Sequence, residues 1–271
     1  MHRSVLAFLR CPVSRQELVV EAAEGDDPIE TGRLRCPATG AQYPIEEGIP
    51  RFVSPEQIEA TYPEIARQTK AAARLYEVAC VQQFLDVIGV GVEEARQEYL
   101  GRLEIEPGMR VLDVGAGTAA EVIYVAQRTS GLDLHGMDLS IDMLRHGRRK
   151  LRKAEVSAEL YVGLAEQLPF ADNTFDVVFH MGAFNEFESK AAAVAEMARV
   201  AKPGTLVQIS DDWLTSKNVQ TPVGRRLHEA VPSMSLDPQL PFDLIPEGML
   251  DKKLTPILKG FGYCVEFRKP G

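Results

Sequence analysis

The stretch over residues 110–119, Arg-Val-Leu-Asp-Val-Gly-Ala-Gly-Thr-Ala, limits the possible folds more than any other part of the chain. An apolar run of strand type passes straight into a Gly-x-Gly turn, and a helical pattern starts at once behind it. Glycines at such a turn let the backbone bend tightly and lie closer to a ligand than a Cβ would allow. From Pro107 onward, apolar strand-like runs alternate with helical patterns, the mark of a βαβ series and hence of a parallel sheet. The patterning predicts strands over Arg110–Val114, Asp133–Asp138, 158–162, 175–180 and 205–210. Helices are expected over 119–128, Ile141–Lys153 and 190–201, the last stopped by Pro203 and Gly204. The Pro-rich residues 213–246 read as a partly helical lid, followed by a helix over 247–259 and a strand over 263–267. The expected fold class is therefore α/β, with a doubly wound, mostly parallel sheet.

Ahead of this domain, taken as residues 102–271, two regions stand apart by composition. Residues 1–53 are rich in Pro, Gly and short β-type runs (18–21, 32–35 and 42–45), as in a small β module. Residues 54–101 keep helical spacing with no Pro or Gly between Glu64 and Ile88, as in a helical cover. A chain of 271 residues accommodates one large domain and such a module. No apolar run approaches the roughly 20 residues that span a bilayer, and the first residues lack the cleavage site of a signal peptide. Four cysteines at irregular spacing suit a reducing compartment, so the cytoplasm is the expected location. A net charge of -9 argues against indiscriminate binding to polyanions. The local exception is the cluster Arg145, Arg148, Arg149, Lys150, Arg152 and Lys153, which reads as the solvated face of a helix.

A glycine turn of this kind also fits a dinucleotide, whose pyrophosphate rests on the helix N-terminus. Two acids favour a different ligand. Asp113 lies inside the motif, where a carboxylate repels a pyrophosphate but suits the ammonium of an amino-acid moiety. Asp138, at the end of the next predicted strand, is placed to accept from both hydroxyls of a ribose.

Residues 111–119 resemble the first motif of class I S-adenosylmethionine-dependent methyltransferases, and residues 136–144, Gly-Met-Asp-Leu-Ser-Ile-Asp-Met-Leu, resemble their second. Residues 165–170, Ala-Glu-Gln-Leu-Pro-Phe, with 172–178, Asp-Asn-Thr-Phe-Asp-Val-Val, are similar to the adenine-side loop and fourth strand. Residues 199–204, Arg-Val-Ala-Lys-Pro-Gly, resemble the helix end before strand five. The resemblance implies a Rossmann-like fold and S-adenosyl-L-methionine as cofactor. It places Asp113, Gly115, Ala116 and Gly117 around the methionine part, Asp138 on the ribose and Leu139 against the adenine. Ala165 would offer its backbone N–H to an adenine nitrogen, with Glu166 beside it. His180, Met181 and Gly182 would face the sulfonium and the acceptor. The chain departs from the family at Ala119, where a third glycine is usual and Ala looks sterically tolerable. It departs again at Leu164, where relatives often carry Asp, and in a strand count one short of seven.

Residues 11–14, Cys-Pro-Val-Ser, and 36–39, Cys-Pro-Ala-Thr, read as two knuckles of a zinc ribbon whose second cysteines are replaced by Ser14 and Thr39. Tetrahedral zinc wants four thiolates here, and neutral hydroxyls are poor substitutes, so no metal is expected. Residues 43–50, Tyr-Pro-Ile-Glu-Glu-Gly-Ile-Pro, resemble the ending of Trm112-like small domains, which occur alone as methyltransferase partners or fused in front of methyltransferases.

Methyl transfer is an in-line displacement at an activated sulfonium, so the protein mainly positions the nucleophile and excludes water. A general base is needed only where the acceptor must lose a proton. The candidate catalytic residues are His180, Asn185 and Glu186; Asp211, Asp212 and Trp213, following strand five, read equally as a grip on a cationic or planar substrate and as a capped loop. Tyr62, Tyr76 and Phe84 are candidate walls of the pocket. The leading expectation is methylation of a small molecule at N, O, C or S, with no membrane partner. Nucleic acid is not favoured, although methylation of an rRNA or tRNA base is one alternative reading. A non-catalytic, cofactor-binding partner protein is the other. The sequence carries no statement of oligomeric state.

Overall fold

The computed structural model describes residues 1–24, 27–63, 81–232 and 234–271, so that Tyr76 lies outside the described residues. Near the start of the chain, β1 (Val19–Glu24), β2 (Thr31–Arg35), β3 (Gln42–Glu46) and β4 (Ile49–Pro50) form an antiparallel sheet in sequence order. Alternation sets its buried face: Leu34, Tyr43 and Ile45 turn inward while their neighbours stay wet. α1 (Pro55–Thr61) follows, opened by a capping box in which the Ser54 side chain accepts from Gln57 N–H and the Gln57 side chain accepts from Ser54 N–H. α2 (Gln83–Ile88) and α3 (Val92–Leu100) complete the described part of the helical cover.

The large sheet has seven strands: β5 (Arg110–Val114), β6 (Asp133–Asp138), β7 (Glu159–Val162), β8 (Val177–Met181), β9 (Leu206–Asp212), β10 (Leu250–Ile257) and β11 (Gly262–Arg268). Their spatial order is β10-β11-β9-β8-β5-β6-β7, parallel from β9 to β7 and antiparallel at β11 and β10. β5 and β8 sit in the middle, covered on both faces, which is why their sequences are nearly continuous apolar runs. α4 (Ala120–Ala126), α5 (Ile141–Lys153), α6 (Lys190–Val200) and α7 (Pro222–Ala230) are the remaining α-helices among the described residues. The chain order reverses at β5, where one crossover leads to β6 and the other to β8. That switch point opens a crevice at the carboxyl ends of the strands.

Two expectations change. Residues 247–259 are not a helix but hold β10, the seventh strand; its first four residues are exposed, and it pairs only with β11. The basic cluster is not simply a solvated face, because Arg148 bonds Glu30 at 2.6 Å and Arg145 bonds Glu47 at 2.9 Å. Both partners belong to the N-terminal module, so two of the six charges face another element of the same chain. Elsewhere the described elements follow the predicted ones, including the full span of α5.

Candidate functional site

At the carboxyl ends of β5, β6, β8 and β9 lies a cavity of about 690 Å³. Its lining gathers Gly115, Ala116, Gly117, Asp138, Leu139, Ala165, Glu166, His180, Met181, Asn185 and Glu186, together with Tyr62, Phe84, Asp211 and Asp212. Asp113 lies just beneath the turn and is not part of the lining.

The turn is built for close approach. Gly115 has φ of +79°, and a Cβ there would stand 3.0 Å from His180 Nδ1. The Gly115 and Ala116 N–H groups both donate to the Met137 carbonyl, at 2.7 and 2.9 Å, which ties the turn to the end of β6. Ala119, where a third glycine was expected, has φ of +57° and is fully buried. Its left-handed backbone costs an L-residue about 1 kcal/mol, more than its merely steric fit suggests. Gly147 of α5 provides the room: a Cβ on it would meet the Thr118 backbone at 2.9 Å and the Ala119 Cβ at 3.1 Å.

Asp138 ends β6 with Gly117 N–H donating to Oδ2 at 2.9 Å and Ser140 N–H donating to Oδ1 at 2.8 Å. Each oxygen keeps a lone pair for a further donor, so the carboxylate is oriented without being used up. Burial raises its carboxyl above the ordinary value, against the pull of those N–H groups. Asp113 is 2% exposed and its Oδ2 has no hydrogen-bond partner. Burial above all, then the charges of Glu121 and Asp138, push its carboxyl well above the usual range. A carboxyl in that condition is stabilised in its charged form by any cation brought near it.

His180 is fully buried, and its Nδ1–H donates to the Val114 carbonyl at 2.6 Å, leaving Nε2 without a partner. Burial lowers its pKa to about 4, so the ring is neutral at pH 7. That is a good hydrogen-bonding anchor and a weak proton acceptor. Asn185 is half-buried and its carbonyl accepts from Lys190 Nζ at 3.1 Å, while Glu186 is exposed at the rim. Glu166 Oε1 accepts from the Tyr62 hydroxyl at 2.9 Å and from Ser189 N–H at 3.2 Å, which closes the side of the cavity under α1.

Beyond this rim, Asp211 is held by two N–H donors: Phe184 to Oδ2 and Asp212 to Oδ1, each at 2.8 Å. Asp211 and Asp212 both lie above the ordinary carboxylate range, burial being the main cause in each. The pairing of an acid next to the end of strand five with an enclosed space was legible in the sequence; which of the two acids is tied down was not.

In the N-terminal module, Arg15 N–H donates to the Cys11 carbonyl and Gly40 N–H to the Cys36 carbonyl, so the two knuckles fold alike. Ser14 Oγ lies 3.4 Å from Cys36 Sγ, and the Tyr43 hydroxyl 3.1 Å from Cys11 Sγ. Hydrogen bonds from Ser14 and Thr39 bring the Cys36 thiol down to about 6. Hydroxyls thus stand where two further thiolates would complete a zinc site, and the donor set does not fit that metal. Among the described residues no group of three or more His, Cys, Asp or Glu is placed to hold a metal ion.

Residues 111–204 match the family described as methyltransferase domain, and residues 2–48 the family described as Trm112p-like protein. Over residues 111–204 the chain carries the pattern of a methyltransferase domain. Its glycine turn, the oriented Asp138 carboxylate and the unpartnered Asp113 oxygen fit S-adenosyl-L-methionine. The chain is 33% identical over 142 residues to a demethylmenaquinone methyltransferase of Corynebacterium kroppenstedtii, covering 52% of this chain and 56% of that protein. It is 33% identical over 153 residues to the ubiquinone/menaquinone biosynthesis C-methyltransferase UbiE of Burkholderia mallei, covering 55% and 63%. The chain thus spans about three-fifths of the length of these curated relatives. The fold is shared with a SAM dependent methyltransferase from Aquifex aeolicus, at a TM-score of 0.51 and 19% identity, over 74% of this chain and 98% of that one. Among the described residues no helix is long and apolar enough to cross a membrane.

Proposed function

We propose that this chain transfers the methyl group of S-adenosylmethionine to a small, largely apolar acceptor in the cytoplasm. One observation carries the reading: a single cavity is lined both by the glycine turn with the acids at the strand ends and by apolar side chains of the helical cover, Phe84, Leu85 and Val92 among them. Around the turn, Asp138 would hold the ribose, Leu139 and Ala165 the adenine, and Asp113 with Gly115 to Gly117 the methionine part. The methyl donor supplies an activated carbon; the chain's own residues orient the two molecules and exclude water. Among the described residues the lining carries Glu121, Asp138, Glu166, Glu186, Asp211 and Asp212 against Arg96 alone among lysines and arginines. That balance disfavours a polyanion, and so speaks against an RNA base as acceptor. The quinone-directed names of the relatives support a small-molecule acceptor. Residues 1–53 serve, on this reading, as a packing module and 54–101 as the cover of a catalytic domain over 102–271.

The test is a labelled-methyl transfer assay against cell extract separated into small-molecule and RNA fractions. Label is expected among the small molecules, and label confined to RNA overturns the proposal. In parallel, Asp138→Ala is expected to weaken S-adenosylhomocysteine binding by about tenfold or more, the worth of a charge-assisted hydrogen bond. An affinity unchanged within about twofold sinks the ribose assignment.

A further inference from the structure

Far from the cavity in sequence, the two knuckles of the N-terminal module bring together Cys11 and Cys36, both free thiols. Both are fully buried, while Val13, Arg15 and residues 37–40 at the knuckle tips are exposed, so the sulfurs lie just beneath the surface. The Ser14 hydroxyl touches both: it lies 3.4 Å from Cys36 Sγ and also hydrogen-bonds Cys11. The Tyr43 hydroxyl lies 3.1 Å from Cys11 Sγ and close enough to Cys36 to feel its charge. Two hydroxyls shared in this way place the sulfurs on either side of one small gap. Each sulfur is aimed by its own knuckle, for the Val13 and Ser14 N–H groups donate to Cys11, and those of Ala38 and Thr39 to Cys36. Donors pointed at sulfur favour the thiolate and fix its direction. The Cys36 thiol, brought down to about 6 by Ser14 and Thr39, is mostly ionised at neutral pH.

We propose that Cys11 and Cys36 form a two-coordinate site for a soft monovalent cation, cuprous copper being the physiological one. The site is independent of the methyl-transfer reading above. Ligand number decides the ion. Zinc seeks four donors, and two of the four positions here hold neutral hydroxyls. A cuprous ion is soft, has a filled d shell and is satisfied by two thiolates in line, and thiolates are the ligands that select it. On binding, two S–Cu bonds form, each sulfur giving one electron pair. The Cys11 proton leaves to solvent, and copper keeps its oxidation state. The bound pair carries one net negative charge, and the four N–H groups with the Ser14 and Tyr43 hydroxyls are placed to stabilise it.

The test titrates the full chain with cuprous ion under ascorbate, with bicinchoninate as the competing chelator. The chain is expected to take up a single equivalent. Cys11→Ser or Cys36→Ser should weaken uptake by about 100-fold or more. The chain has four cysteines, and removing the other two together, as Cys80→Ser with Cys264→Ala, leaves the module intact. Affinity in that double variant should stay within about twofold of the wild type. X-ray absorption on its copper-loaded form should show two sulfur neighbours and no nitrogen. Zinc in about tenfold excess should not displace the copper. Wild-type protein that takes up no cuprous ion overturns the site, as does uptake that disappears with Cys80 and Cys264. A third sulfur or a nitrogen neighbour, displacement by zinc, or a Cys11–Cys36 disulfide formed under ascorbate in place of copper uptake overturns it equally.

Discussion

Asp113 is a cost to the fold and, on the proposed reading, a gain to the site. Its carboxyl is buried, one oxygen lacks a partner, and two nearby acids repel its charge. Its folded pKa lies above the unfolded value, so the sign is the reverse of a salt-bridged acid. The penalty is absent below the unfolded pKa of about 4 and grows as pH rises through and beyond it, up to the folded pKa. Asp113→Asn is therefore expected to raise the Tm of the ligand-free protein at pH 7 by about 2–4 °C, and to flatten its decline with pH. The same variant should weaken S-adenosylhomocysteine binding. Thermal melts at several pH values, paired with calorimetric titration, check both; a lower Tm with unchanged affinity would sink the argument. The placement of Asp113 and Asp138 beside the glycine turn was legible because it follows from the local strand-and-turn pattern. The left-handed Ala119, and the Gly147 that makes room for it, were not, because the pair meets only when α5 packs back on the turn.

At the scale of elements, the parallel core was legible and its far edge was not. Leu250, Leu254, Ile257 and Leu258 recur at helical spacing, and that pattern led to a helix over 247–259. In the structure they lie on and just after β10, where Pro256 is tolerated because an edge strand leaves one side of its backbone unpaired. A strand that buries so little gives weak period-2 alternation, and pairing with β11 decides its form. The two knuckles are the opposite case, since their likeness and their two hydroxyl substitutions are local in sequence and so legible there. Their hydroxyl-to-thiol contacts stand in for coordination bonds, so stability should not depend on zinc. Prolonged treatment with a strong chelator is expected to leave Tm within about 1 °C, whereas a zinc-held ribbon loses its fold. Stoichiometric zinc in the purified protein, or a chelator-induced drop in Tm, would contradict this.

The chain as a whole is knit together at the β7 side of the large sheet. Phe52 N–H donates to the Val162 carbonyl at 2.8 Å and Arg51 forms a parallel bridge with Val162, so the module's exit continues the sheet past its edge. Nearby, Arg10 N–H reaches the Pro169 carbonyl and Ala171 N–H the Phe8 carbonyl, at 2.9 and 2.8 Å. Phe8 is the apolar anchor: its ring lies 5.4 Å from His135, 6.2 Å from Phe175 and 6.4 Å from Phe170, with the Arg110 guanidinium 4.2 Å above it. One core cluster runs through these residues from Leu34 and Ile45 of the module to Leu112 and Val114 of β5. Composition separated the regions along the chain but carried no sign that they share a core, since such contacts join residues distant in sequence. A shared core makes unfolding cooperative. Phe8→Ala is accordingly expected to cost about 3–5 kcal/mol and to lower a single melting transition by about 6–15 °C. S-adenosylhomocysteine should shift that transition in both proteins, because the site and the module unfold together. Two separate transitions, with the ligand-responsive one still at the wild-type temperature, would show instead that the methyltransferase domain stands without its N-terminal module.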